Sequence, residues 1–171
     1  MNKKTVFIAG AIILLLLFMK PVQSQAEELI KKFEGKRLKA YQDSAGIWTI
    51  GYGSIYHYDL DRPVQPGDKI NEETALKWLR NEIASKTAEI KKLIKVPVKV
   101  NQLDSLTSLA YNIGVNAFKK STLLKLLNAG ADKTAVANQF LRWNKARVNG
   151  KLIEVKGLTN RRILEKELFL K

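Results

Sequence analysis

Apolar residues recur with helical spacing along most of the chain after residue 24. The first such stretch predicts an amphipathic helix over residues 25–34, because apolar side chains stand at the i, i+3, i+4 and i+7 positions Ala26, Leu29, Ile30 and Phe33. Ser24 and Glu27 have the S-x-x-E spacing of a capping box, which predicts Ser24 as the N-cap. Gly35 is a natural end for this helix.

The stretch from Leu38 to Tyr58 has a different composition, rich in Tyr, Trp, Ile, Thr and Gly. Gly46, Gly51 and Gly53 interrupt it, as is typical of short hairpin strands joined by turns. A loop is predicted at Pro63 and Pro66-Gly67. The pattern therefore predicts a small β-sheet after the first helix.

Helical spacing returns in the second half of the chain. Asn71 is a suitable N-cap for a long helix of about residues 72–95, and Pro97 would end it. Its apolar stripe consists of Leu76, Leu79, Ile83, Ile90 and Ile94.

The rest of the chain predicts a group of shorter helices. In order, the predicted elements are a helix of about residues 102–113 capped by Asn101 and stopped by Gly114, a short helix from Ser121 to Gly130, a helix from Asp132 to Arg142, a loop from Asn144 to Gly157, and a terminal helix capped by Thr159. One helix, a small sheet, a long connecting helix and a helical lobe make an α+β layout with segregated helices and strands.

Residues 1–26 differ from everything after them. Lys3 and Lys4 precede an apolar run of 15 residues from Thr5 to Met19, and a small-x-small exit follows. A basic start, a short apolar run and such an exit are typical of a secretory signal. We therefore expect an export signal or signal anchor over residues 1–26 and a folded domain over residues 27–171.

Two interpretations of this segment stay open. Cleavage after Ala26 would give a secreted protein, but it would remove the predicted Ser24 cap from the first helix. An uncleaved segment would hold the protein at the membrane, although the apolar run is shorter than the roughly 20 residues of a stable span.

The amino-acid composition limits which catalytic groups, metal sites and binding partners the protein can have. The chain has no cysteine, which excludes disulfides, a thiol catalyst and a cysteine-based metal site. His57 is the one histidine, and we expect it to be a loop residue without a catalytic role. The net charge of +14 indicates an anionic partner. Because the basic residues are spread over several helices rather than clustered in one recognition element, nucleic acid is not the expected partner.

Carboxylates are therefore the candidate catalytic groups. Glu34 ends an apolar helix face beside Phe33, and an apolar environment would help it keep a proton and act as a general acid. Asp43 follows in a polar turn and should stay ionised, and the Thr49 hydroxyl could hold a water molecule. Taken alone, two carboxylates at this spacing are more often solvated surface groups.

The full stretch of residues 33–53 resembles the phage lysozyme family, glycoside hydrolase family 24. The family signature of Glu, eight residues, Asp, five residues and Thr is matched by Glu34, Asp43 and Thr49. The resemblance extends over residues 24–171. Other matching positions are Gly35, Arg37, Leu38, Tyr41, Gly46, Ile50, Gly51, Gly53, the segment Leu109–Gly114 with Ala117-Phe118, Arg142-Trp143 and the segment Gly157–Arg162.

The resemblance implies a lysozyme-like fold and cleavage of the β-1,4 bond between N-acetylmuramic acid and N-acetylglucosamine in bacterial peptidoglycan. Glu34 would protonate the leaving oxygen, while Asp43 and Thr49 would position water on the opposite face of the sugar. The outcome would be inversion, with the two carboxyl groups about 6.5–9.5 Å apart. No metal or organic cofactor is implied. We expect a monomer exported to the host periplasm, either tethered first to the inner membrane or secreted after cleavage.

Supporting roles are expected for four further residues. Arg161 is predicted to form an ion pair that orients Glu34, and Asn112 to contact a sugar amide. Tyr41 and Trp48 are predicted to support or bind substrate, whereas Trp143 is expected in the core. The rival functions are a lytic transglycosylase acting on the same bond and a non-enzymatic cationic protein that binds membrane or cell wall.

Overall fold

The computed structural model describes residues 24–43, 45–148 and 150–171. Most of the predicted export segment, residues 1–23, lies outside the described residues. The helices are α1 (Gln25–Glu34), α2 (Glu72–Lys91), α3 (Val100–Ile113), α4 (Val115–Lys120), α5 (Thr122–Asn128), α6 (Lys133–Asn138), a 3-10 helix (Gln139–Trp143) and α7 (Lys156–Leu170). The strands are β1 (Arg37–Gln42), β2 (Trp48–Gly51), β3 (Tyr56–His57), β4 (Arg62–Pro63), β5 (Lys145–Val148) and β6 (Lys151–Glu154).

The first helix has the predicted bounds and the predicted cap. Ser24 Oγ accepts a hydrogen bond from the Glu27 amide at 3.1 Å. The Glu27 carboxylate does not complete a capping box but binds Arg80 on α2, with contacts of 3.0 and 3.2 Å. Since Glu27 is nearly buried, this ion pair fixes the start of α1 against the long helix.

The predicted small sheet is present as antiparallel hairpins. β1 pairs with β2 in a register that sets Tyr41 opposite Thr49 and Gln42 opposite Trp48. β3 and β4 form a second, two-residue ladder, so the prediction of a loop at Pro63 is wrong: Pro63 pairs with Tyr56. These strands and α2 cover two small cores, whose buried members are Ile30, Tyr52, Ala75, Leu79 and Ile83 in one and Ile50, Val64 and Trp78 in the other.

The expectation that His57 lies in a loop is wrong. His57 belongs to β3, is buried, and packs its ring edge-on against Trp78 with ring centroids 4.9 Å apart. A strand of two residues has too little alternation for its pattern to be recognised in the sequence.

The long helix begins at its predicted cap, where Asn71 accepts from the Thr74 amide at 2.8 Å, but it ends earlier than predicted. It stops at Lys91, well before Pro97. The reason lies on α5, where the Asn128 side chain donates to the Leu93 carbonyl at 2.9 Å and accepts from the Lys95 amide at 2.8 Å. In a longer helix the Lys95 amide would have bonded to the Lys91 carbonyl, and Asn128 takes the place of that acceptor. The Leu93 carbonyl could not have bonded to Pro97, which has no N–H, and Asn128 supplies a donor instead.

The cap predicted for α3 is also wrong. This helix begins at Val100, and the Lys99 amide donates to the Gln102 side chain at 2.9 Å. The Asn101 side chain instead donates to the Leu168 carbonyl at 2.9 Å, so it joins α3 to α7.

Two other predicted caps are confirmed. Ser121 accepts from the Leu124 amide at the start of α5, and Asp132 accepts from two amides at the start of α6. The helices of this lobe surround the larger core, against which Trp143 packs half-buried, as expected. The buried members of that core are Ile90, Leu106, Leu109, Ala110, Phe118, Leu123, Leu124, Leu127, Val136, Ala137, Phe140 and Phe169.

The predicted loop from Asn144 to Gly157 is instead a hairpin of β5 and β6. The Val155 amide closes it on the Asn144 carbonyl at 2.9 Å, and α7 then begins at Lys156. Thr159 is therefore inside the first turn of α7 and is not its cap. All four residues of β6 are exposed, so the strand carries no alternation between buried and exposed positions that a sequence pattern could show.

The α+β prediction is confirmed: a small sheet lobe and a helical lobe are joined by α2. Within the described ranges, 24–43, 45–148 and 150–171, no helix is both long and apolar enough to cross a bilayer.

The start of α1 gives a test of where the folded domain begins. A chain that starts at Glu27 lacks the Ser24 cap, the bond from the Gln25 amide to Asp104 at 2.9 Å, and the fully buried Ala26. We expect its free energy of unfolding to be lower by about 1 kcal/mol or more than that of a chain that starts at Ser24. Urea unfolding of the two chains measures this difference, and equal midpoints would contradict it.

Candidate active site

Glu34 is the last residue of α1, where it faces both protein and solvent. Its side chain is 24% exposed, and its Oε1 accepts from Arg161 Nη1 at 2.6 Å. Gly35 follows with φ +70° and turns the chain from α1 into β1. Glu34 therefore stands at the junction of the two lobes, where the Arg161 guanidinium is its ion-pair partner.

Gly53 lies on the other side of the Glu34 carboxyl group. A Cβ atom built on Gly53 would be 3.8 Å from Glu34 Oε2, so backbone comes close to this oxygen. The φ of +100° at Gly53 is one that L side chains rarely adopt. A glycine here lets the loop after β2 pass beside the carboxyl group without strain.

Arg161 is almost completely buried and is held on every side. Its Nε donates to Glu165 at 3.2 Å and its Nη2 to the Ser108 carbonyl at 3.3 Å. Its guanidinium also lies 5.6 Å from the centre of the Phe33 ring. The structure thus brings Arg161 to Glu34, as predicted, and adds Glu165 and Ser108, which the sequence pattern did not single out.

Asp43 and Thr49 are joined through the backbone of Ile47. Asp43 Oδ1 accepts from the amides of Ala45 and Ile47 at 2.8 and 2.9 Å. The buried Thr49 donates from its hydroxyl to the Ile47 carbonyl at 3.0 Å. Because both side chains bind the same residue, the turn between β1 and β2 holds them at one end of the hairpin.

Gly53, whose backbone comes close to Glu34, also lines a cleft of about 570 Å³. The cleft runs between the sheet lobe and the two helices α2 and α3, and its walls offer hydroxyl, amide and amine groups. The lining residues are Gly53, Ser54, Ile55, Tyr56, Tyr58, Asn81, Glu82, Ser85, Lys86 and Tyr111.

Two tyrosines fix Glu82 in the wall of this cleft. Tyr111 donates to Glu82 Oε2 at 2.8 Å, and Tyr58 donates to Oε1 at 2.9 Å. Burial raises the pKa of Tyr58 to about 12, and Glu82 adds to this effect. Burial, again aided by Glu82, also raises the pKa of Tyr111 far above its ordinary value. Both hydroxyls therefore remain donors at neutral pH and join the sheet lobe to α2 and α3.

The sequence pattern did not single out this trio. The three residues lie far apart along the chain, and they come together only when α2, α3 and the segment after β3 pack against one another.

The remaining predicted residues lie at different distances from this cleft. Asn112 is exposed at the end of α3, next to the cleft residue Tyr111. Trp48 packs half-buried against one of the small cores, and Tyr41 stacks under the Arg37 guanidinium at 4.3 Å. Trp48 and Tyr41 are thus placed in the β1–β2 hairpin that carries Asp43 and Thr49, and not in the cleft wall.

A second cavity of about 410 Å³ lies in the helical lobe. Its lining residues are Ala117, Lys120, Ser121, Thr122, Leu123, Gln139, Arg142 and Trp143. Over the part of the chain that the structure describes, no group of three His, Cys, Asp or Glu residues is placed so that it could hold a metal ion.

Comparison with known proteins agrees with this architecture. The family model for phage lysozyme matches residues 31–165. An endolysin from Acyrthosiphon pisum secondary endosymbiont phage 1 is 48% identical over 141 residues, which is 82% of this chain and 92% of that protein. The solved endolysin of Escherichia coli O157:H7 phage FAHEc1 has a TM-score of 0.80 and 42% identity, and covers 90% of this chain and 95% of its own.

A third relative is named for its mode of export. The SAR-endolysin of enterobacteria phage P21 is 34% identical over 137 residues, which is 80% of this chain and 77% of that protein.

The fold and the matched sequence define an α+β enzyme of the lysozyme type, a glycoside hydrolase. The chain belongs to the phage lysozyme family.

Substitution of Arg161 tests how strongly the site depends on its buried cation. Arg161→Leu leaves the fully buried Glu165 without one guanidinium and Glu34 without its partner. We expect the free energy of unfolding to fall by about 3 kcal/mol or more, since the loss of one member strands a buried charge. Urea unfolding measures it. The control Arg147→Leu, at an exposed arginine of β5, should change stability by less than about 0.5 kcal/mol, and an equal effect of both would contradict the prediction.

Proposed function

We propose that this chain is an endolysin that hydrolyses the β-1,4 bond between N-acetylmuramic acid and N-acetylglucosamine in bacterial peptidoglycan. The observation that carries the proposal is that the three residues of the family signature are each held by specific hydrogen bonds. Glu34 is held by Arg161 at the lobe junction, and Asp43 and Thr49 are held together by Ile47 in the hairpin. The family membership supports the same reaction class.

In the proposed reaction Glu34 is the general acid. It donates a proton to the oxygen of the leaving sugar as the glycosidic bond breaks. A water molecule attacks the anomeric carbon from the opposite face and gives its proton to Asp43. Asp43 then releases this proton to solvent and Glu34 regains one, through the quarter of its side chain that is exposed. Atoms balance as one water consumed for each bond cleaved.

Thr49 and Asp43 divide the work of holding the attacking water. The amides of Ala45 and Ile47 fix the orientation of Asp43, and the Thr49 hydroxyl donates to the Ile47 carbonyl. An inverting reaction needs room for that water, with the carboxyl groups about 6.5–9.5 Å apart. We therefore propose inversion at the anomeric carbon.

The cleft is the proposed site for the glycan strand. Sugar hydroxyl and acetamido groups need hydrogen-bond donors and acceptors, which Ser54, Asn81, Ser85 and Lys86 offer along its wall. Asn112, next to this wall, is the proposed contact for a sugar amide. Tyr41 and Trp48 support the hairpin that carries Asp43 and Thr49, since Tyr41 pairs with Thr49 across the strands.

Product analysis of purified peptidoglycan tests the catalytic assignment. Wild type should release reducing muramic-acid ends, and Glu34→Gln should lower the rate by about 100-fold or more, because the general acid is lost. Glu28→Gln, at an exposed glutamate of the same helix, is the matched control and should behave like wild type. Products with 1,6-anhydro ends would indicate a lytic transglycosylase instead. Cell lysis by Glu34→Gln at the wild-type rate would indicate the non-enzymatic alternative.

We also propose that the enzyme reaches the periplasm through its apolar N-terminal segment and is held at the inner membrane before release. The apolar run from Thr5 to Met19 and the likeness to the P21 SAR-endolysin support this proposal. In the periplasm the net charge of +14 would favour approach to the anionic cell wall, with the protein acting as a monomer and without nucleic acid.

Fractionation of cells that make the full chain tests this route. The proposal predicts protein of full-length mass in the membrane fraction early and in the periplasm later, and a chain lacking residues 1–23 should stay in the cytoplasm. A shorter mass in the periplasm would show cleavage, and cytoplasmic retention of both chains would contradict export.

A further inference from the structure

Glu165 on α7 is a fully buried carboxylate that the proposed reaction does not use. Its Oε1 accepts three hydrogen bonds, from Ser108 Oγ at 2.7 Å, Arg162 Nη2 at 3.0 Å and Arg161 Nε at 3.2 Å. Its Oε2 lies 2.8 Å from Arg162 Nε. Glu165 therefore contacts the same arginine that binds Glu34.

Arg161 is held between two carboxylates. One end of its guanidinium meets Glu34 at 2.6 Å, and Nε meets Glu165 at 3.2 Å. Because the guanidinium group is planar and rigid, a contact at one nitrogen fixes the direction of the others. The position of Glu165 thus sets the direction from which Arg161 reaches Glu34.

The buried charges are costly, so packing alone does not account for them. Burial lowers the pKa of Arg162 to about 10 and raises that of Glu165, while their mutual attraction opposes both changes. Arg162 Nη1 is buried without a hydrogen-bond partner among the described residues. Buried ion pairs of this kind are often replaceable by apolar residues without loss of stability. The arrangement is better explained by its contact with Arg161.

We propose that Glu165 is a positioning residue for catalysis, which orients Arg161 toward Glu34 and balances the positive charge beside it. This inference rests on the proposed role of Glu34 as the general acid. With Glu165 in place, two carboxylates and two guanidinium groups are balanced, and Glu34 can take up the proton that it must donate.

Loss of the Glu165 charge should move the pH profile of kcat in one direction, which can be measured. The charged groups that act on Glu165 are Arg161 and Arg162 on α7. These arginines in turn face Glu34 on α1, and Tyr111 on α3, with its partner Glu82 on α2, lies near Glu34 and Arg161. Without the negative charge of Glu165, the two guanidinium groups beside Glu34 are no longer balanced. We therefore expect the high-pH limb of the kcat profile to move toward acid.

The experiment compares full-length wild type with Glu165→Gln on soluble peptidoglycan fragments across the pH range. We expect kcat to fall by about 10-fold or more at neutral pH and the high-pH limb to move by about one unit toward acid. KM should change by less than about twofold, because Glu165 does not line the cleft.

A double variant separates positioning from charge and remains informative if Glu165→Gln does not fold. Glu165→Leu with Arg162→Met removes the buried pair together, so the balance beside Glu34 is kept and folding is expected. Arg161 still loses its anchor, so kcat should fall while the high-pH limb stays in place. A folded double variant with wild-type kcat would overturn the positioning role.

Two controls complete the design. Glu27→Gln removes the carboxylate of another nearly buried Glu-Arg pair, away from Arg161, and should lower stability without moving the high-pH limb. An equal shift in Glu27→Gln would mean that the effect is only structural. Glu34→Gln tests the proposed role of Glu34 as the general acid: if this variant stays active, the proposed function fails. If it is inactive while Glu165→Gln matches wild type, only the inference about Glu165 fails.

Discussion

The ion pair between Glu34 and Arg161 joins residues that are 127 positions apart in the chain. It links the end of the first helix to the last helix, and through Ser108 and Glu165 it includes α3. A carboxyl group at the end of a helix would otherwise be a free surface group. The position of the proposed acid is therefore set by the packing of the helical lobe, although Glu34 itself precedes the sheet lobe.

The proposed water-holding half of the site depends on a different kind of contact. Asp43 and Thr49 are fixed by the backbone of one turn, so their geometry is local to the β1–β2 hairpin. The helices α2 and α3 connect the lobes that carry these two groups of residues. The bonds of Tyr58 and Tyr111 to Glu82 are part of that connection, and they lie in the wall of the cleft.

The first helix connects these features to the start of the folded domain. Its N-terminal end is tied by the Ser24 cap, by Asp104 on α3 and by Arg80 on α2. Its C-terminal end carries Glu34. Only nine residues lie between the Ser24 cap and Glu34, so the segment that precedes the cap adjoins the helix that carries the proposed acid.

The sequence by itself determined the features that depend only on residues close together in the chain. Helical periodicity, N-cap residues and the positions of glycines predicted α1, the hairpin region and the starts of α2, α5 and α6. The spacing of Glu34, Asp43 and Thr49 carried the resemblance to the family. These signals are local because a helix or a turn satisfies its own backbone groups within a few residues.

The tertiary structure alone decided what depends on a distant partner. Asn128 ends α2, Asn101 binds α7 in place of capping α3, and Glu165 meets Arg161 and Ser108 in the interior. A polar side chain has the same local pattern whether it caps its own helix or bonds a distant backbone group. Which partner it takes is fixed only when packing brings the two groups together and removes them from water, because a buried polar group without a partner is costly.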